Sequence, residues 1–253
     1  MQDKYTGDIG DFGKYILLKK IHDIAKPKIR LGVNWYRCTA AEPHSTDGKH
    51  IFYLSFSSKY RDKFFQCDPL LYNQLSNIVN SNRRSIKTIE NDCILPTGTI
   101  FYSNPLPTKN NSKPESQTDR EQWLNKSMHH LRKADIIFLD PDNGIAPSRA
   151  SVNESRAVKY TFMHEIETYF KNGKSVVVYN HRDRSPVEQY NRKLTDTAKS
   201  LGCVQNVKVL RFKRVSVRDY LILSQPHHKN IFTSAAGALT VSPYDFLFKR
   251  IYL

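Results

Sequence analysis

Four short stretches carry most of the side chains equipped for chemistry. "FLDPDNGIAP" (138–147) sets Asp140, Asp142 and Asn143 directly behind an apolar run, and "VVVYNHRDR" (176–184) does the same with Asn180, His181, Arg182, Asp183 and Arg184. "LGVNWYR" (31–37) ends in Asn34, Trp35 and Tyr36, and "YTGDIGDFGKY" (5–15) interleaves Asp8, Asp11 and Lys14 with three glycines. A carboxylate at a strand mouth orients water, moves a proton or stabilises a developing cation, and an imidazole moves a proton near neutral pH. Asparagine amides read a base edge, aromatic rings stack on a base, and arginines hold phosphate.

Each residue also has a duller employment. Asp, Asn and Gly bond their own backbone in turns, an aspartate such as Asp11 caps a helix, and a histidine is satisfied by a backbone carbonyl. Trp35 and Tyr36 are ordinary core residues on the same footing. Convergence separates the two readings, and convergence depends on the elements that position these residues.

Hydrophobic spacing predicts a helix over 11–26 closed by Pro27, then a strand over 29–38. "IFYLSF" (51–56) is a second short apolar run; 69–80 is a helix, followed by a short basic segment at 85–91. "GTIFYSNPL" (98–106) is strand-like, and the polar tract 107–119 is the best candidate for disorder. Helices over 120–134, 157–173 and 187–201 alternate with apolar strands at "DIIFLD" (135–140) and "KSVVVYNH" (174–181). "VKVLRF" and "DYLILSQP" follow as an antiparallel pair closing one edge.

Strands alternating with helices predict one α/β domain over 1–253: a mostly parallel, Rossmann-like sheet with helices on both faces. In such sheets ligands bind at the carboxyl ends of the strands, where three of the four stretches fall.

Composition narrows the partners. The 253 residues contain 39 Lys and Arg against 24 Asp and Glu, a formal charge of +15, which favours a polyanion and nucleic acid first. No basic amphipathic stretch points to a membrane surface, no apolar run is long enough to span one, and no leader-like segment opens the chain, so the expectation is cytoplasmic. Cys38, Cys67, Cys93 and Cys203 lie too far apart for a CxxC pair and are expected reduced and buried.

Two resemblances follow from these motifs. Gly7, Asp8, Asp11, Lys14 and Tyr15 are similar in spacing to the Gly-Asn-x-Ala-Asp-x-x-Lys-His opening of the ribosomal-RNA adenine methyltransferases. "LDPDNG" sits where that family has Asp-Pro-Pro-Tyr, and "VRDYLILSQP" resembles its late strand pair. The likeness implies a class I methyltransferase-like fold. The chain departs from the family where the first strand runs into "NWYRCTAAEPH" with no glycine until Gly48, which leaves S-adenosylmethionine no obvious seat, and where the stacking tyrosine of Asp-Pro-Pro-Tyr is lost.

The whole pattern also resembles a widespread group of prokaryotic proteins, and in size and charge the chain is similar to phage-defence DNA glycosylases that excise glucosylated hydroxymethylcytosine. That resemblance implies hydrolysis of an N-glycosidic bond in modified phage DNA, leaving an abasic site, with no cofactor and no metal. Asp140 or Asp142 would then serve as the carboxylate, Asn143 and Asn180 would read the base, and Trp35 or Tyr36 would stack on it. His181, Arg182 and Arg184 would bind phosphate or the leaving base, and Asp8, Asp11 and Lys14 the appended sugar. Competing expectations are an S-adenosylmethionine-dependent base methyltransferase, a Mg²⁺ nuclease built on Asp140, Asp142 and Asp8 or Asp11, and a non-catalytic nucleic-acid binding module.

Overall fold

The computed structural model describes residues 1–39, 48–109, 113–114, 117–183, 185–202 and 207–253. In chain order its elements are α1 (Ile9–Ala25), β1 (Leu31–Asn34), α2 (Arg61–Cys67), α3 (Pro69–Asn80), α4 (Ile86–Asn91), β2 (Ile100–Tyr102), β3 (Thr108–Lys109), β4 (Lys113–Pro114), α5 (Gln117–His130), β5 (Ile136–Leu139), β6 (Gly144–Ile145), β7 (Tyr160–Thr161), α6 (Met163–Lys171), β8 (Ser175–His181), α7 (Val187–Ser200), β9 (Val207–Phe212), β10 (Arg218–Leu223), α8 (Lys229–Ala238) and β11 (Phe248–Ile251).

Seven strands pair in the order β11-β9-β10-β8-β5-β1-β2. β2, β1, β5 and β8 run parallel, whereas β10, β9 and β11 pair antiparallel in succession beyond β8. This is a Rossmann-like α/β sheet. The β9–β10 pair expected at the edge lies inside it, because residues 248–251 add β11 outside β9.

The central strands read as unbroken apolar runs because both faces are covered. In β5, Ile136 and Phe138 enter the core under α1, α2, α3 and α8, whereas Ile137 and Leu139 enter the core under α5, α6 and α7. β8 alternates likewise, with Val177 and Tyr179 on the first side and Val176 and Val178 on the second. Each such side chain contributes about 1.5–3 kcal/mol by burial, so the strands carrying the site are the most firmly held.

Helix α1 starts earlier than its apolar spacing predicts. Asp8, not Asp11, is the cap: its carboxylate accepts from the Gly10 amide at 2.9 Å, which frees Asp11 to turn inward. A Cβ on Gly10 would stand 2.6 Å from the Arg218 guanidinium carbon, so the glycine lets α1 lie directly against β10.

Other expectations are revised. The run 51–56 forms a single 3₁₀ turn, Phe52–Leu54, with no strand partner. The helix expected over 157–173 shortens to α6 because Tyr160 and Thr161 pair with Gly144 and Ile145. In the tract 107–119 the described residues form the β3–β4 pair and the start of α5; residues 110–112 and 115–116 lie outside the described set. Cys38 and Cys67 are buried and Cys93 is exposed, with no disulfide among the described residues, and Cys203 lies outside them. Among the described residues no helix is long and apolar enough to cross a membrane.

A buried ion pair fastens α5 to α6. Arg120 Nε and Nη2 reach the two oxygens of Glu165 at 2.6 and 3.2 Å, and Tyr36, Thr161 and the Phe162 amide also bond that carboxylate. Arg120→Met leaves a buried charge without its partner and is expected to cost about 3–5 kcal/mol, read as a fall in the urea midpoint. The double variant Arg120→Met/Glu165→Leu should recover part of that loss; equal loss in both would show that packing rather than charge sets the joint.

Candidate active site

A cavity of about 310 Å³ opens where β5 and β8 end, walled by the first turns of α1 and the start of β10. Asp8, Asp11, Lys14, Asp140, Asp142, Asn143 and His181 all line it, so seven of the residues singled out in the sequence converge. The antiparallel register sets Arg218 opposite His181, and Arg218 joins the wall with Tyr179 and His50.

The floor is an ion triad. Lys14 Nζ lies 2.7 Å from Asp140 Oδ2 and 3.0 Å from Asp11 Oδ1, with all three side chains at most 5% exposed. Burial alone would push the lysine down, but Asp11 and Asp140 outweigh it and hold the ammonium well above the ordinary lysine range. Burial raises the Asp11 carboxyl, a shift that Lys14 opposes and Asp140 reinforces. Asp11 Oδ2 accepts from the Gly7 amide and the Tyr15 hydroxyl at 3.0 and 3.2 Å, so both its oxygens are committed. Asp140 also meets Lys14, through Oδ2, and lines the cavity.

The Asp-Pro-Asp-Asn-Gly segment leaves the sheet and is pinned on both sides. The Asp140 amide donates to Asn34 O at 3.0 Å, the Asn143 amide to Lys159 O at 2.8 Å, and the His181 amide to Asn143 O at 3.1 Å. Gly144 takes φ 104°, a value that a side chain disfavours, and packs against Asn180. Pro141 breaks strand alternation, so both aspartates reach the cavity instead of opposite faces. Asp142 is held there: Oδ1 lies 2.9 Å from the Met1 ammonium in an ion pair, without a hydrogen bond among the described residues, and Oδ2 accepts from Gln2 Nε2 at 2.6 Å.

On the opposite wall, Arg218 Nε donates to the Tyr179 hydroxyl at 3.1 Å and Nη2 lies 3.5 Å from Asp8 Oδ1. Tyr179 also meets His181 Nδ1 at 3.2 Å, and burial raises its phenol despite Arg218. Arg218 Nη1 is buried without a hydrogen-bond partner among the described residues.

Four expected site residues stand behind the cavity instead of in it. Trp35 is fully buried, stacks on Phe101 and donates to Glu90 at 2.8 Å. Tyr36, at φ 46°, turns into the second core and bonds Thr161 and Glu165. Asn34 is spent on the Tyr169 hydroxyl and the Tyr36 amide, and Asn180 on the Ile145 amide and the Tyr190 hydroxyl. These residues support the loops, and none of the four is among the residues lining the cavity. Arg182 lies to one side over the Tyr190 ring, and Arg184 lies outside the described residues.

The arrangement decides what the site can hold. Where β1 ends, the carbonyls of Trp35 and Tyr36 accept from the Met1 ammonium at 2.9 Å each, and the sequence holds no glycine between Gly32 and Gly48, so the described residues there do not fit the glycine cradle of S-adenosylmethionine. Among the described residues no three His, Cys, Asp or Glu converge on a metal position, and Lys14 occupies the place between Asp11 and Asp140 that a cation would take.

No family model matches the chain, and neither does any curated protein. Among solved structures, protein LPL1258 of Legionella pneumophila strain Philadelphia 1, described with the family model DUF519, is similar over 97% of this chain and 96% of its own, at 11% identity and a TM-score of 0.44. The likeness assigns no activity and no residue.

Because the Asp11 carboxyl is raised above its ordinary value of 3.8, folding favours its protonated form, and the stability linked to it is lost as pH rises through the window above that value. Asp11→Asn removes this term. The variant's unfolding free energy relative to the parent should therefore rise between about pH 4 and about pH 7; a constant or falling difference would contradict the assignment.

Proposed function

We propose that this chain hydrolyses the N-glycosidic bond of a nucleotide extruded from modified phage DNA, leaving an abasic site. The observation that carries the reading is Asp140, a buried carboxylate anchored through one oxygen by Lys14 in the wall of a cavity of about 310 Å³. Four carboxylates, Asp8, Asp11, Asp140 and Asp142, outnumber Lys14, Arg218 and the Met1 ammonium around that cavity, in a chain whose formal charge is +15. Surface cations gather DNA, and the acidic interior stabilises the oxocarbenium-like cation that develops on the sugar.

In this reading Asp140 orients water beneath the sugar and takes its proton as the water oxygen bonds to C1′. The C1′–N bond breaks with its electron pair passing to the base, which leaves with a proton from His181 or solvent. Arg218 Nη1 supplies a donor for a substrate oxygen. An extruded base suits the site because its target bond is out of reach inside a duplex. The competing transferase needs a cofactor cradle where Trp35 and Tyr36 fill the end of β1, and the competing nuclease needs a metal where Lys14 stands.

The test incubates the protein with DNA containing glucosylated hydroxymethylcytosine, and with unmodified DNA, in EDTA without S-adenosylmethionine, followed by mild alkali. Strand breaks appearing only after alkali on the modified DNA are expected. Asp140→Asn should slow base release about 10²–10⁴-fold with DNA affinity retained. Asp142→Asn should chiefly lower stability. Full activity in Asp140→Asn, or breaks that require Mg²⁺, would overturn the reading.

A further inference from the structure

Beside the cavity, and sharing His50 with it, runs a groove of about 490 Å³ whose walls combine rings and cations. The run 51–56 builds one side. Among the lining residues Phe52 is 64%, Tyr60 38% and Val215 63% exposed, and at the margin, one position before the lining Ser57, Phe56 is 88% exposed. Single apolar side chains in solvent are ordinary, but a group of them beside one groove marks a binding surface.

The cations are interleaved with the rings. The Lys59 ammonium lies 5.1 Å from the Tyr60 ring, Arg214 lies 5.7 Å from the same ring, and Arg61 lies 4.9 Å from the Phe56 ring. No carboxylate is among the described residues lining the groove. Burial chiefly, with smaller contributions from Arg214 and Lys249, pushes the Lys213 ammonium below the ordinary lysine range despite Asp245.

We infer that this groove holds the single strand flanking the nucleotide in the cavity, with bases stacked on Phe52 and Phe56 and phosphates on Lys59, Lys213 and Arg214. The inference rests on the proposed action on DNA and names the surface that would deliver the strand to Asp140. Rings give a sequence-tolerant platform and cations track the backbone, the combination by which proteins grip single strands. A second copy of the chain is disfavoured as occupant, since each carries a formal charge of +15 and the groove presents only cations to it.

The experiment measures fluorescence anisotropy of a labelled, unmodified, mixed-sequence single strand and of a duplex of equal length, titrated with the full chain in EDTA at several salt concentrations. The single strand is expected to bind more tightly than the duplex. Phe52→Ala/Phe56→Ala should weaken strand binding about tenfold with the salt slope unchanged, because the rings stack without neutralising phosphate. Lys59→Gln/Arg214→Gln should lower the slope of log K against log salt by about 1.4, from about 0.7 per phosphate contact. Lys26→Gln/Lys28→Gln, at the far end of the sheet, should leave ring-dependent binding intact.

Urea midpoints equal to the parent's show that the variants are folded, as the exposure of both phenylalanines leads one to expect. Parent-like strand binding by the phenylalanine variant would overturn the inference. So would a loss of self-association on sedimentation with strand binding unchanged, which would assign the face to a second copy. Base release is scored separately by alkali cleavage, so the groove fails or stands apart from the glycosylase reading.

Discussion

The structure is organised around one buried ammonium. Lys14 projects from α1 into the mouth of β5 and meets Asp11 and Asp140 within 3.0 Å, which ties the first helix to the central strand through charge in a dry place. Hydrophobic packing sets α1 on the sheet, but it is indifferent to sliding or rotation along the apolar face. An ion triad is not, because displacing any member leaves a desolvated charge uncompensated, a loss of several kcal/mol. Registry between helix and strand is thus fixed at the point where the cavity is formed, and the position of the Asp140 carboxylate inherits that precision.

The same economy recurs away from the site. Arg120 and Glu165 join α5 to α6, and Arg211 Nε and Nη2 reach the two oxygens of Asp219 at 2.8 and 2.7 Å across β9 and β10. Guanidinium forks match carboxylates bidentately and so fix orientation as well as distance. These pairs consume acids that would otherwise lie free. Four further carboxylates, Asp8, Asp11, Asp140 and Asp142, line one cavity of a chain whose formal charge is +15.

Much of this was legible in the residues, for identifiable reasons. β5 and β8 could be read because burial on both faces removes polar interruptions, and the strand-end rule then located Asp140, Asp142, Asn143 and His181. Asp8, Asp11 and Lys14 declared themselves because ordinary helix starts do not need two aspartates and a lysine. Trp35 and Tyr36 misled because side-chain identity does not reveal that the backbone turns to φ 46° at Tyr36 and carries both rings into the cores. Arg218 escaped notice since its place follows from strand pairing, and only the register that opposes it to His181 would have exposed it. Helix α8 and β11 went unread, and with them the true edge of the sheet.

The cavity draws its walls from distant parts of the chain: Lys14 meets Asp140 across 126 positions, and Arg218 meets Asp8 across 210. No contiguous fragment shorter than most of the protein contains the constellation. During synthesis the acidic triad closes once β5 has emerged, yet the wall carrying Arg218 arrives only with β10, after most of the chain has been made. A growing or truncated polypeptide therefore displays its basic surface before it possesses a finished cavity. Charge on the surface is thus complete in outline before the last wall of the cavity exists.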